Sequence, residues 1–308
     1  MKKLSVLPAA LAAAMLLTAC ANPFAPKAEE PPAPTVVEKP AFTDETYPRV
    51  DGSTATIPLS EGLVRELMGK DATAAHEFVH HTTTPSAYQN LFDGNCDMIL
   101  VTPPSSEEEQ QMKDSGKEYE VEMVVKDAFV FLVNSENTVE DISVEQLQKI
   151  YKGEITNWKE LGGEDAEIVA FQRPDNMGSQ TLMYKLLVPQ DEIADAPTEL
   201  RPAGMGDLVD AVSSYDSGVN SIGYSVYYYA NGMYTSPQSK LISVDGVYPT
   251  PETIADGSYP LVDGYYAVFE KSQPEDSAVR QLLAWLTSDE GQKMAADEGY
   301  VPLHELTK

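Results

Sequence analysis

One arginine stands out in FQRPDNMGSQT, residues 171–181, because a Gly/Ser turn that opens a helix follows it. Arg173 carries a planar fork of donors that fits an oxyanion bidentately. Behind it, Met177, Gly178 and Ser179 would supply backbone N–H groups and a hydroxyl at a helix start. The first N–H groups of a helix lack internal partners, and the helix dipole is positive there, so an anion is their natural ligand. A second stretch has the same design: DGSTATIP, residues 51–58, sets Ser53, Thr54 and Thr56 just ahead of Pro58. Either turn alone reads as an ordinary N-cap. Two of them with a leading arginine point to an anion site.

A third cluster, HEFVHH at 76–81, has the H-E-x-x-H spacing of a zinc hydrolase. That chemistry needs a helix, so that His76 and His80 share a face with Glu77 as the base. The β-branched and aromatic residues of FVHHTTT favour a strand instead. On a strand the two histidines would stand about 13 Å apart, too far for one zinc. The expectation is a strand with solvated polar residues, no metal site and no catalytic residue. The run Tyr227, Tyr228, Tyr229 reads as strand packing rather than carbohydrate stacking, and Tyr224 is a candidate for the neighbourhood of the site.

Strands must end at these turns and helices must begin there. YPRVDGSTATIPLSEGLVRELMGK reads as strand, turn and helix, with Leu59, Leu63 and Leu67 at four-residue spacing, Pro58 in the first turn and Gly69 at the stop. NCDMILV and DAFVFLVN are apolar strands suited to a sheet covered on both faces. SVEQLQKIYKG has a capping-box start at Ser143 and Gln146. AEIVAFQ, NSIGYSVYYYA and YPLVDGYYAVFE are further strands. The C-terminal stretch is one or two helices with Val279, Leu282, Leu283 and Leu286 facing the core. Alternation of strands and helices gives an α/β class with mainly parallel sheets.

Composition narrows the partners. The 308 residues include 49 acidic and 21 basic ones, a formal charge of −28, which argues against nucleic acid. The N-terminus reads as a targeting segment: MKK, then LSVLPAALAAAMLL, then LTAC ending at Cys20. This resembles a lipoprotein leader (residues 1–19) with Cys20 as the lipidated first residue of the mature chain. Residues 20–46, rich in proline and charge, read as a tether. Cys96 is the other cysteine, expected to be buried and structural.

Together these stretches resemble the PstS-like phosphate-binding components of bacterial ABC transporters. The landmarks are DGSTATIPL, CDMILVTPPS, IYKGEITNWKELGG, AFQRPDNMGSQT, SIGYS, YPLVDGYYAV and GYVPL, spread from Tyr47 to Leu303. The resemblance implies a two-lobed type II periplasmic-binding-protein fold, each lobe a mostly parallel sheet flanked by helices. Lobe 1 would take 47–128 plus 262–308, and lobe 2 would take 129–261. It also implies an extracytoplasmic monomer, lipid-anchored to the membrane, that takes inorganic phosphate to a permease, without cofactor or catalysis. Carried over residue by residue, Thr56 and Ile57 fall on first-turn donors, with Ser53 and Thr54 beside them. Thr83 or Thr84 falls on a second hydroxyl loop, and Arg173 on the ligand arginine. Met177, Gly178 and Ser179 fall on its Ser-Gly-Thr turn. Two departures stand out. Met177 replaces a serine, and Thr102 replaces the carboxylate that accepts the phosphate proton. A hydroxyl discriminates less than a carboxylate, so a sulfate-like oxyanion is the alternative ligand. A surface sensor or adhesin is the alternative role.

Overall fold

The computed structural model describes residues 37–214 and 218–306. Cys20 and the leader lie outside the described residues. One half of the molecule holds β1 (Val50–Gly52), α1 (Ile57–Met68), α2 (Ala72–Phe78), α3 (Thr84–Phe92), β2 (Met98–Val101) and α4 (Ser106–Asp114). β3 (Tyr119–Asn134) then runs into the other half. That half holds β4 (Asp141–Ile142), α5 (Val144–Tyr151), β5 (Val169–Ala170), α6 (Gly178–Leu186), α7 (Met205–Ser214), β6 (Ser221–Val226), β7 (Ser239–Leu241), β8 (Ser243–Val244) and α8 (Pro251–Ala255). β9 (Val262–Glu270) returns to the first half, where α9 (Ala278–Leu286) and α10 (Asp289–Asp297) pack.

The main sheet has the order β1-β2-β9-β3-β6-β5, with β7 also on β3. β3 joins the halves by changing partner. It pairs with β9 from Tyr119 to Ala128 and with β6 from Phe129 to Val133. The expectation of mostly parallel sheets is corrected here. Parallel pairing joins β1 to β2, β5 to β6 and the small β4 to β8, but β3 and β9 run antiparallel to their neighbours. Two long strands that cross between the halves in opposite directions impose this, and apolar runs alone do not reveal direction.

The elements around the site follow the sequence closely. All four residues of β2 are buried. Leu59, Leu63 and Leu67 of α1 are buried, Pro58 sits in its first turn, and Gly69 caps it with φ +67°, a left-handed angle that glycine adopts freely. Ser143 and Gln146 form the expected capping box on α5. Val279, Leu282, Leu283 and Leu286 are buried on α9.

Four expectations change. Part of the expected tether packs on α1: the Phe42 N–H donates to the Leu67 carbonyl at 2.9 Å, and Lys39 pairs with Glu66 at 2.5 Å. The Phe42 ring packs edge-on against Tyr47, an apolar anchor within a stretch that reads as tether. The strand expected in HEFVHH and FVHHTTT does not form: Ala72–Phe78 is helix, because Asp71 caps the Ala74 N–H at 2.9 Å ahead of alanine-rich turns, residues 79–83 are loop, and Thr84 opens α3. The tyrosine run leaves β6 after Val226, and Tyr229 enters a wide helical turn. The strand expected in AEIVAFQ shortens to Val169–Ala170. Cys96 is buried, and burial pushes its thiol up to about 12.

Candidate anion-binding site

Three chain turns converge between the two halves. β1 leads into a short helical turn, Thr54–Thr56, stacked on α1. The second turn is the start of α3, with Thr83 as its N-cap. The third follows β5, where Asn176, at φ +65°, tightens the chain into α6 with Met177 as N-cap. None of these three starts has a side-chain cap. In α6 the N–H groups of Gln180 and Thr181 turn back to the Met177 carbonyl at 2.8 and 2.9 Å. Those of Gly178 and Ser179 precede them, in the part of a helix that has no internal acceptors.

The turns enclose a cavity of about 90 Å³. Pockets for drug-sized ligands run to roughly 300–1,000 Å³, so this one suits a ligand of a few atoms. Ser53, Thr54 and Ala55 line it from the first turn, Thr83 and Thr84 from the second, and Thr102 from the end of β2. Arg173, Met177, Gly178 and Ser179 line it from the far half, with Ala203, Gly204 and Met205 ahead of α7. Val226 and Tyr265 complete it. No lining residue is an acid, and Arg173 is the only cation among them.

Arg173 is 5% exposed. Its backbone N–H is fixed by the Tyr224 hydroxyl at 2.8 Å and by the Gln180 side-chain oxygen at 2.9 Å. Tyr224 therefore stands behind the arginine rather than in the cavity. The guanidinium donates to the Ser179 hydroxyl at 3.3 Å and closely to the Ala203 carbonyl, while Nε is buried without a partner. No carboxylate lies within 4.0 Å of it among the described residues. Burial pulls the guanidinium below its ordinary value, with Tyr224, Tyr229 and Asp207 opposing. A buried cation without an acid partner is costly until an anion meets it.

The two halves meet tightly here. A Cβ placed on Gly178 would lie 2.5 Å from the Thr102 hydroxyl and 2.9 Å from that of Thr84, so only glycine lets the α6 backbone come this close. The Thr102 hydroxyl is buried with no hydrogen-bond partner. One residue before Met177, the Asn176 amide donates to Glu107 of α4 at 2.5 Å.

Nine of the eleven expected ligand residues line the cavity; Thr56 and Ile57 do not. The Thr56 hydroxyl donates to the carbonyls of Leu100 and Ser53 at 2.7 and 2.9 Å, and its N–H goes to Ser53 at 3.1 Å. The Ile57 N–H closes onto the Thr54 carbonyl. The helical turn consumes these donors and puts Thr54 and Ala55 at the cavity instead. Thr83 is exposed and gives its hydroxyl to Ser86 at 3.0 Å, which leaves Thr84 as the buried hydroxyl of that loop. The Met177 N–H, expected as a donor, turns to the Pro174 carbonyl at 3.3 Å. Ala55, Ala203, Gly204, Met205, Val226 and Tyr265 were not foreseen. The one trace of the 203–205 turn in sequence is the glycine pair flanking Met205 in AGMGDLVDAV.

The H-E-x-x-H cluster is elsewhere. His76 pairs with Glu61 at 2.7 Å, and His80 lies beyond the end of α2, so the two do not share a helical face. His81 packs behind the first turn, its Nδ1 3.1 Å from the Ser53 carbonyl.

Comparison with known proteins agrees with this architecture. A model of the PBP superfamily domain matches residues 40–290. The chain belongs to that superfamily. Within it, the phosphate-binding protein PstS of Bacillus subtilis is 33% identical over 175 residues, 56% of this chain and 54% of that protein. The match thus spans about half the length of that relative. PstS of Staphylococcus haemolyticus is 28% identical over 265 residues, 83% of this chain and 81% of that protein. A structure described as a phosphate ABC transporter substrate-binding protein with bound phosphate, from Clostridium perfringens, superposes with a TM-score of 0.64 at 24% identity. It covers 82% of this chain and 98% of that one. An ABC-type phosphate transport receptor from Vibrio cholerae gives 0.60 at 20% identity, covering 82% and 98%. At such identities the likeness is one of fold. The superfamily fold is two-lobed, and the cavity lies where its lobes meet.

Proposed function

We propose that this chain is an extracytoplasmic receptor that captures inorganic phosphate between its lobes and delivers it to an ABC transporter permease. The observation that carries the reading is Arg173: a buried cation with no acid partner among the described residues, in a small cavity lined by hydroxyls and bounded by three uncapped helix starts. The relatives named PstS supply the ligand and the transport role. The lobes proposed are 47–128 with 262–308, and 129–261. They close by a hinge at the β3 partner change, and closure is favoured because the anion then touches both. Lipid anchoring through Cys20 and a monomeric state belong to the same reading. Binding rather than catalysis fits a lining without His, Cys, Lys, Asp or Glu.

That lining also favours a second reading. Without a carboxylate facing the ligand, a fully ionised tetrahedral oxyanion such as sulfate meets no repulsion. A thermal-shift panel with phosphate, arsenate, sulfate and molybdate, on protein unfolded and refolded to strip carried-over ligand, separates the two. A ligand at a hundred times its Kd stabilises by about 2.7 kcal/mol. Phosphate and arsenate should shift the transition and sulfate should not. Equal shifts favour the second reading, and no shift with any anion removes both.

A further inference from the structure

We propose that Tyr265, backed by Asp127, is the acceptor for the proton of bound phosphate and thereby sets phosphate apart from sulfate. This rests on the reading of the cavity as a phosphate site. Tyr265 lines the cavity from β9, is buried, and its hydroxyl has no completed hydrogen bond. Asp127 lies on the neighbouring β3, opposite Asp263 and therefore on the same sheet face as Tyr265 two residues on. Its Oδ1 is taken by the N–H groups of Ala128 at 2.7 Å and Tyr228 at 3.1 Å. Its Oδ2 is buried without a completed bond. The two groups are close enough to shift one another's ionisation.

The chemistry follows from donor and acceptor counts. A phenol has one proton to give and lone pairs to receive. When that proton turns to the Asp127 carboxylate, the lone pairs of Tyr265 face the cavity and accept a P–O–H. Burial raises the Asp127 carboxyl to about 6, so near neutral pH it is chiefly the anion that draws this proton. Sulfate has no proton to give, and its oxygens would meet the phenol's lone pairs. The carboxylate missing at Thr102 is thus replaced from another strand, with a tyrosine placed between acid and ligand. The remaining neighbours do not compete for the role. Tyr300 meets the Tyr265 ring edge-on, and Asp263 is engaged by Lys185 at 3.0 Å.

The test is titration calorimetry with phosphate and with sulfate on refolded wild type, Tyr265→Phe and Asp127→Asn. Tyr265→Phe keeps the ring and should lower the phosphate-to-sulfate affinity ratio about tenfold, the scale of one hydrogen bond to a charged group. Asp127→Asn puts a donor where Oδ2 stood, turns the phenol proton into the cavity, and should move the ratio toward sulfate as well. An unchanged ratio in Tyr265→Phe overturns the proposal while leaving phosphate binding intact. If Tyr265→Phe does not fold, an unchanged ratio in Asp127→Asn overturns it equally. Wild type that binds neither anion removes the phosphate reading and this one with it.

Discussion

Helix starts in this protein come in two kinds. α2, α4, α5, α8, α9 and α10 each begin with a side-chain oxygen accepting from a backbone N–H of the first turn: Asp71, Ser105, Ser143, Thr250, Ser277 and Ser288. The turn Thr54–Thr56 with α1 behind it, α3 and α6 have none, although Ser53, Thr56 and Thr83 stand at their caps. These three uncapped starts face the cavity. Capping contributes about 1 kcal/mol of stability at each site. Where it is forgone, N–H groups stay available to a ligand, so on the proposed reading the same residue types serve folding at some helix starts and binding at others.

The largest effect that tests this contrast is at Arg173. Arg173→Ala should weaken phosphate binding a hundredfold or more by calorimetry, since truncating one member of a buried charge pair costs several kcal/mol. The ligand-free protein should melt no lower, because the substitution removes an unpaired buried charge. A large loss of ligand-free stability would make Arg173 a folding residue and break the comparison.

The acids divide in the same way. Asp71 caps a helix, whereas Asp127 is held buried beside the cavity with its carboxyl raised from 3.8 to about 6. A raised pKa means that the folded state takes up this proton first. Asp127 therefore adds stability as pH falls from 6 toward 4 and costs stability above that range. Asp127→Asn should stabilise the ligand-free protein at pH 7.5 by on the order of 2 kcal/mol. The gain should shrink toward pH 4, as followed by denaturant melts across that range.

A matched pair of variants sharpens the contrast further. Ser143→Ala, at a capped start, should cost about 1 kcal/mol of stability and leave phosphate affinity unchanged. Thr84→Val, at an uncapped one, should cost about tenfold in affinity with little change in stability. Calorimetry and melting curves on both decide it; the opposite pattern would show that the two kinds of start do not differ in role.

The smallest effect concerns the whole molecule. With a formal charge of −28, the protein repels an approaching anion, while the proposed site would work through local dipoles and one guanidinium. Raising ionic strength shortens the screening length to about 8 Å at physiological salt. The association rate for phosphate should then rise roughly two- to threefold in stopped flow. A steady fall with salt would mean that a local positive field governs the encounter.

Much of this was legible in the sequence because it rests on local rules. Arg173 before a Gly/Ser turn, the apolar β2 run and the four-residue spacing of α1 each carry their structure within about ten residues. What failed was register and distance. Whether Thr54 or Thr56 faces a ligand depends on two residues of helical winding, which hydroxyl composition does not encode. FVHHTTT has strand-like residues, but the helix before it is decided by Asp71 and the alanines. Tyr265 and Gly204 lie far along the chain from the first turn, and only the fold brings them to it.

The unbroken course of β3 has a further consequence. In a hinged body, points on the axis stay put while points far from it travel. Asp127 sits beside the step at Ala128 and Phe129 where β3 changes partners, and Tyr265 is on the strand alongside. Gly178 and Ser179 belong to the far half, next in sequence to Asn176, which contacts Glu107. On the proposed hinge, the groups that test the ligand's proton would therefore be presented alike however wide the cleft stands, and those that enclose the ligand would arrive with closure. Selection would then precede commitment, and a rejected anion would leave before the halves had moved.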